Sequence, residues 1–365
     1  MGKRIIISGG GTGGHVFPAI SIANALKSID KDTIIHFVGA LGRLEMHKVP
    51  EAGYDISGLP VAGFERKHAL KNISVIFKLI KSLRRAEKII NHFKPDVAVG
   101  VGGYASGPIL RVAARKGIPT LIQEQNSSAG ITNKLLAKKA RVICVAYEGM
   151  EKYFPGEKIL FTGNPVRKDL VGLEDKSKEA YEYFKLDDSL PVVLVLGGSG
   201  GSLSINESIA AGLEKFDERK IQLIWQTGKY YFERVRKIYE ESPGPMVHLH
   251  DFIDRMDLAF SAADIVVSRA GAVTISELSL VGKPAILIPS PNVADDHQTR
   301  NAMTLVKKEA ALMIRDSESE EKLKNVIIEL VEDTEKKKRL SENISSMAKK
   351  NSDIIIAKEI LKLAE

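Results

Sequence analysis

Twice in this chain a β-branched run breaks into a cluster of glycines and then into a helical pattern. Residues 3–8 end in Gly9-Gly10-Gly11-Thr12-Gly13-Gly14-His15 and lead to a helix over 18–26. Residues 191–196 end in Gly197-Gly198-Ser199-Gly200-Gly201-Ser202 and lead to a helix over 205–216. Strand, glycine loop and helix form the opening unit of a doubly wound α/β domain. Two copies half a chain apart predict two such domains in tandem, and 365 residues suit two cores of ordinary size. Further short apolar runs at 33–38, 97–101, 120–123 and 142–145, then at 221–226, 265–268 and 285–289, alternate with helical segments as parallel sheets require. Gly163-Asn164-Pro165 and the charged stretch 168–188 mark a boundary. The reading is therefore an N-terminal domain over 1–163 and a second domain over 164–352. A last helix, 353–365, is free to join the first.

Two more glycine-containing turns follow predicted strands: Gly102-Gly103-Tyr104-Ala105-Ser106-Gly107, and Arg269-Ala270-Gly271-Ala272, which opens a helix through Thr274 and Glu277. Such a turn brings backbone N–H groups and the positive end of a helix up to an anion, usually a phosphate. One alone is explained by tight-turn geometry. Four at the carboxyl ends of strands, where open α/β sheets bind ligands, predict phosphorylated ligands. Gly9, Gly11 and Gly14 satisfy G-x-G-x-x-G, but the next strand ends in Val38-Gly39 rather than the acid a dinucleotide site wants. No Walker A sequence is present, which argues against a P-loop nucleotidase. Asp30-Lys31-Asp32 has the D-x-D form of a metal motif yet precedes a strand, at the wrong end of the sheet, and is read as a surface turn. No metal and no cofactor are expected. The single cysteine, Cys144, lies in an apolar run and is read as a core thiol.

Charge is concentrated in one place. Residues 66–94 hold nine Lys or Arg against one acid, Glu87, a local excess of +8 on a chain whose total is +7. Within it Ile73, Ile76, Phe77 and Ile80 recur at helical spacing, with Lys78, Lys81, Arg84 and Arg85 interleaved. Two readings stay open at this point: an amphipathic helix facing an anionic membrane surface, or a core-facing helix with a solvated basic face. Nucleic acid is not expected as a partner, because no recognition motif accompanies the basic segment and its few aromatics do not line it. The N-terminal apolar stretch is too short for a signal peptide, and no run of 18 uncharged apolar residues occurs. The chain is therefore expected to be cytoplasmic.

A chain that grips a nucleotide diphosphate without a metal and has a second phosphate-binding face fits two Rossmann-like doubly wound domains facing across a cleft, the GT-B architecture. The motifs then become specific. Gly11-Thr12-Gly13-Gly14-His15-Val16-Phe17-Pro18, the 102–107 turn with Pro108, Glu124-Gln125-Asn126, Gly163-Asn164-Pro165-Val166-Arg167, Gly197-Gly198-Ser199 and the run from Arg269 to Glu277 closely resemble, in order and spacing, the MurG family. The resemblance covers essentially the whole chain. It implies transfer of N-acetylglucosamine (GlcNAc) from UDP-GlcNAc to the C4 hydroxyl of N-acetylmuramic acid (MurNAc) in undecaprenyl-pyrophosphoryl-MurNAc-peptide, lipid I, giving lipid II of peptidoglycan.

By this resemblance the second domain holds the donor. Glu277 takes the ribose hydroxyls, the backbone of Ile253 reads the uracil edge with Phe252 nearby, and Ser199 with Arg167 meets the diphosphate. The helix start Ala272, Val273, Thr274, Ile275 and Ser276 lies along the nucleotide. Gln298 and Asn301, three apart on one helical face, contact the sugar. Thr12, Gly13, Gly14 and Asn126 reach the donor from the first domain. That domain holds the acceptor: Gly13, Gly14, Gly102, Gly103 and Ser106 receive the lipid's pyrophosphate, Tyr104 and Asn126 touch its sugar, and His15 is the candidate base. The sequence departs from the family's pattern at His297, where a second glutamine is common, and at Gly200, where a bulkier residue is. Two other classes stay open on sequence alone: a related transferase or a nucleotide-sugar epimerase acting on a soluble substrate, and a non-catalytic scaffold that keeps the UDP site.

Overall fold

The computed structural model describes residues 2–61, 71–198, 200–241 and 246–365. The chain forms two compact units, Met1–Val166 with Lys349–Glu365, and Arg167–Ala348. The first exit thus falls three residues beyond the expected boundary, and residues 349–365 return to the first unit.

In the first unit β1 (Arg4–Gly9), β2 (Ile34–Ala40), β3 (Asp55–Leu59), β4 (Val97–Gly102), β5 (Thr120–Glu124), β6 (Val142–Val145) and β7 (Ile159–Phe161) make one parallel sheet ordered β3-β2-β1-β4-β5-β6-β7. In the second, β8 (Val192–Leu196), β9 (Gln222–Gln226), β10 (Val247–His250), β11 (Ile265–Ser268), β12 (Ala285–Leu287) and β13 (Leu312–Met313) repeat that order as β10-β9-β8-β11-β12-β13, again all parallel. The central strands are apolar throughout because helices cover both faces. Ile6 packs into one core and Ile5 with Ile7 into the opposite one, as successive side chains of a strand must. Val192 and Leu194 part from Val193 and Val195 in the same way. Each such buried side chain contributes about 1.5–3 kcal/mol.

The last helix, Ser352–Leu363, packs on helix Gly13–Ile29. Its Ile356, Ala357 and Ile360 are fully buried in the core that holds Ile5 and Ile7, and Lys3 Nζ donates to Ala364 O at 2.7 Å. Asp30 closes a turn before β2, accepting from Asp32 N at 3.0 Å and Thr33 Oγ1 at 2.8 Å. Among the described residues no three or more His, Cys, Asp or Glu are grouped to hold a metal ion. Cys144 is buried, and burial pushes its thiol far above the usual range.

Helix Lys71–Phe93 turns Val75, Ser82, Ala86 and Ile90 to the core. Phe77, 69% exposed, and Ile80 stand off that face with Lys78, Lys81, Arg84 and Arg85. The helix is thus core-facing with a solvated basic face, and Phe77 and Ile80 lie on the solvated side rather than in the core. Arg66 and Lys67, and the side chains of Ile73 and Ile76, lie outside the described residues. No helix among the described residues is long and apolar enough to cross a membrane.

Candidate active site

Strand order reverses between β1 and β4 in the first sheet and between β8 and β11 in the second. Ligands of open α/β sheets bind at such a switch point, outside the carboxyl ends of the strands. Each of the four glycine turns follows one of these four strands.

In the first unit the turns after β1 and β4 are pressed together. Gly102 and Gly103 have φ of +102° and +86°, which L side chains rarely adopt. A Cβ on Gly103 would lie 2.3 Å from Gly10 O, and one on Gly102 would lie 2.5 Å from the His15 ring. Only glycine fits either place. Helix Gly13–Ile29 starts after Thr12, whose backbone is extended, so the N–H groups of Gly13 and Gly14 open the helix. His15, half-buried, sits in that first turn with Nδ1 3.2 Å from Thr12 Oγ1. Tyr104, on the turn after β4, is 57% exposed. Ser106 differs from expectation: its hydroxyl is fully buried and faces Ser8 O and Gly102 O, each at 2.8 Å, so only its backbone N–H remains for an anion.

Two buried carboxylates shape this end of the sheet. Glu124 accepts from Asn126 N and Nδ2 with one oxygen, at 3.1 and 3.3 Å, and from Gly130 N and Asn133 Nδ2 with the other, at 3.0 and 2.8 Å. It thereby fixes Asn126. Glu45 accepts from Gly11 N at 2.9 Å and from Ala40 N at 2.8 Å. Glu124 stands in a motif the sequence reading quoted without a role. Glu45 had no signal at all, since an acid at a helix start reads as a surface residue.

In the second unit Ser202 caps helix Leu203–Ala210 by accepting from Ile205 N at 3.3 Å. Arg269 anchors the turn before that helix: it donates to Ser202 Oγ at 2.7 Å, Ser204 Oγ at 3.0 Å, Asp316 Oδ1 at 2.5 Å and the carbonyls of Ile288 and Pro289 at 3.1 and 3.2 Å. Ser199 lies outside the described residues. Helix Ala272–Val281 begins at Gly271. Ala272 and Ile275 are buried and the Ser276 hydroxyl bonds back to Ala272 O at 3.0 Å, so what this helix start offers an anion is its backbone N–H end, with Val273 and Thr274 half-buried beside it.

Glu277 is buried one turn further on. Burial pushes its carboxyl up, against the pull of Arg167, whose Nε lies 3.2 Å from Glu277 Oε1. The structure thus joins two residues the sequence reading had kept separate. Ile253 is also buried, and its N–H already donates to Gln226 Oε1 at 2.9 Å, while Gln226 Nε2 reaches Gly198 O at 3.3 Å. Gln226 was overlooked, although a polar residue closing an apolar strand was the available signal. Gln298 and Asn301 share helix His297–Val306, but differently: Gln298 is half-buried with Oε1 2.8 Å from Ser290 N, whereas Asn301 is fully buried with Nδ2 3.4 Å from Ala270 O. Asn301 sits behind the Arg269–Gly271 turn. His297 is half-buried at the start of the same helix.

The glycosyltransferase family 28 N-terminal domain matches residues 5–145, and its C-terminal domain matches residues 192–357. The UDP-N-acetylglucosamine–N-acetylmuramyl-(pentapeptide) pyrophosphoryl-undecaprenol N-acetylglucosamine transferase of Parabacteroides distasonis is 57% identical over 99% of this chain and 98% of its own. That of Bacteroides fragilis is 54% identical over 99% of this chain and 96% of its own. The crystal structure of Acinetobacter baumannii MurG superposes with a TM-score of 0.80, at 27% identity over 99% of both chains. Two Rossmann-like units with glycine turns at both switch points define a GT-B glycosyltransferase. Among these enzymes, the chain belongs to the MurG family.

Proposed function

We propose that the chain moves GlcNAc from UDP-GlcNAc to the C4 hydroxyl of MurNAc in lipid I, with inversion, to form lipid II of peptidoglycan. The observation that carries this is the pairing of glycine turns at two separate switch points, one for each of two diphosphate-bearing substrates. The 57% identity to a transferase named for this reaction supports it.

In this reading Arg167–Ala348 is the donor unit and Met1–Val166 with Lys349–Glu365 the acceptor unit. Ribose hydroxyls donate to Glu277 and displace Arg167, which turns to the diphosphate. A carboxylate suits a neutral diol because it only accepts. Since Gln226 holds the Ile253 N–H, the uracil edge meets the Ile253 carbonyl first, or takes the N–H from Gln226. Gln298 has its amide nitrogen for a sugar hydroxyl, and Asn301 supports the turn from behind. The acceptor's pyrophosphate lies against Gly13, Gly14, Gly102 and Gly103. Its C4 oxygen attacks the anomeric carbon as His15 takes the hydroxyl proton, the bond to the UDP oxygen breaks, and the charge gained by UDP is met by backbone N–H groups and Arg167. No metal or cofactor is assigned a role. The polyprenyl acceptor stays in the bilayer, because each CH₂ brought into water costs about 0.8 kcal/mol, and the enzyme docks on the cytoplasmic face through helix Lys71–Phe93.

The direct test supplies radiolabelled UDP-GlcNAc with a lipid I analogue in the presence of EDTA. Label is expected in the butanol-extractable lipid. Label released as free sugar without an acceptor would instead indicate an epimerase, and binding without turnover a scaffold. A second experiment separates the donor residues. Glu277→Ala is expected to weaken UDP and UDP-GlcNAc alike, by roughly 10- to 100-fold for the lost charged hydrogen bonds, while Gln298→Ala weakens only UDP-GlcNAc. Equal losses for both ligands in Gln298→Ala would remove it from the sugar site; calorimetric titration reads both.

A further inference from the structure

We propose that Glu45 is a positioning residue for the acceptor half of the reaction, setting from behind the loop that carries Gly11 to His15 against the turn at Gly102-Gly103. This rests on the reading that these turns receive the acceptor's pyrophosphate. Glu45 is fully buried at the start of helix Glu45–Glu51. Its two oxygens take the N–H groups of Gly11 and Ala40, which ties the end of β2 to the middle of the glycine loop. The side chain runs through a channel that two glycines leave open: a Cβ on Gly39 would lie 2.5 Å from Glu45 Cγ, and one on Gly10 only 2.0 Å from Oε1. Gly10 in turn bears on Gly103, and Gly102 on the His15 ring. The Glu45 carboxylate, the Gly10 and Gly102-Gly103 backbone and the imidazole therefore lie in close succession, with no room for a side chain at the glycines between them.

The chemistry is specific to a carboxylate. Both oxygens accept, which an amide can do at only one. A buried anion behind a loop that binds a diphosphate also opposes that ligand electrostatically, so affinity does not explain its presence; loop placement does. The two explanations predict opposite signs when the charge is removed.

Glu45→Gln keeps the shape and loses one acceptor and the charge. Glu45→Asp keeps the charge and falls one methylene short. The measurements are kcat and KM for a short-chain pyrophosphate-bearing acceptor, UDP affinity by calorimetry, and the thermal midpoint. Both variants are expected to lower acceptor kcat/KM by about 10-fold or more, with kcat falling as well as KM rising, because His15 and the pyrophosphate turns shift together. UDP affinity is expected to stay within about 2-fold, a split that mere loss of stability would not produce. Unchanged acceptor kinetics in either folded variant would overturn the proposal, as would tighter acceptor binding in Glu45→Gln. Weakened UDP with unchanged acceptor constants would leave Glu45 as a loop anchor but assign the loop to the donor, overturning the reading beneath the proposal.

Discussion

Replacing His15 by alanine is expected to lower kcat by about 10²-fold or more while leaving UDP-GlcNAc affinity nearly unchanged. The residue belongs to the unit whose turns are assigned to the acceptor, so the donor should not sense its loss. Its ring is held on two sides, by Thr12 Oγ1 at 3.2 Å from Nδ1 and by the backbone of Gly102, where no side chain fits. General-base action needs the tautomer in which Nδ1–H donates to the Thr12 hydroxyl, so that Nε2 is the nitrogen that takes the proton. Imidazole is the side chain whose chemistry is suited to proton transfer near neutrality. A second arm sharpens the test: His15→Gln restores a polar contact but no base, and is expected to stay as slow as the alanine variant. If either variant retains more than about half of wild-type kcat, general-base catalysis by this residue is excluded.

Reversing the charge of Lys78, Lys81, Arg84 and Arg85 to glutamate is expected to abolish sedimentation with anionic vesicles while turnover of a short-chain soluble acceptor continues. Each cation near an anionic surface contributes about 1 kcal/mol, so losing four weakens partition by roughly 10³-fold before repulsion is counted. The apolar part is Phe77 and Ile80, which stand exposed because Val75, Ser82, Ala86 and Ile90 take the core side of the helix. Since that core face is untouched by the four substitutions, the variant should fold. Binding by the unaltered protein should weaken with salt, the mark of charges acting within a Debye length. Unchanged vesicle binding in the variant would place the docking surface elsewhere.

Most of the architecture was legible because central strands of parallel sheets are apolar without interruption, as in Ile5 to Ile7 and Val192 to Leu196. The strands that went unread are β3, β7, β10 and β13, and each is an edge strand of its sheet. An edge is half exposed, so Asp55–Leu59 and Val247–His250 carry polar residues and lose the continuous pattern. The glycine turns were legible for a similar reason, since their backbone leaves no alternative residue. Glu45, Gln226 and the Arg167–Glu277 pair were not, because each is defined by what lies across a turn in space. Ser106 shows the converse: a polar residue in a glycine-rich motif reads as a ligand contact, and only the neighbouring carbonyls reveal that its hydroxyl is spoken for.

The helix Ser352–Leu363 gives the first unit an unusual order of assembly. It covers Ile5 and Ile7, among the earliest residues of the chain, yet it is made after the whole of Arg167–Ala348. During synthesis the first sheet must wait, with one apolar face short of a covering helix, while the second unit emerges and is able to close on its own contiguous chain. Contacts so distant along the sequence form slowly, since the loop must be closed before they are gained. The core around Ile5 and Ile7 can therefore be completed only after the second unit has been made, and until then that apolar face lacks one of its covering helices, the kind of exposed surface that invites aggregation.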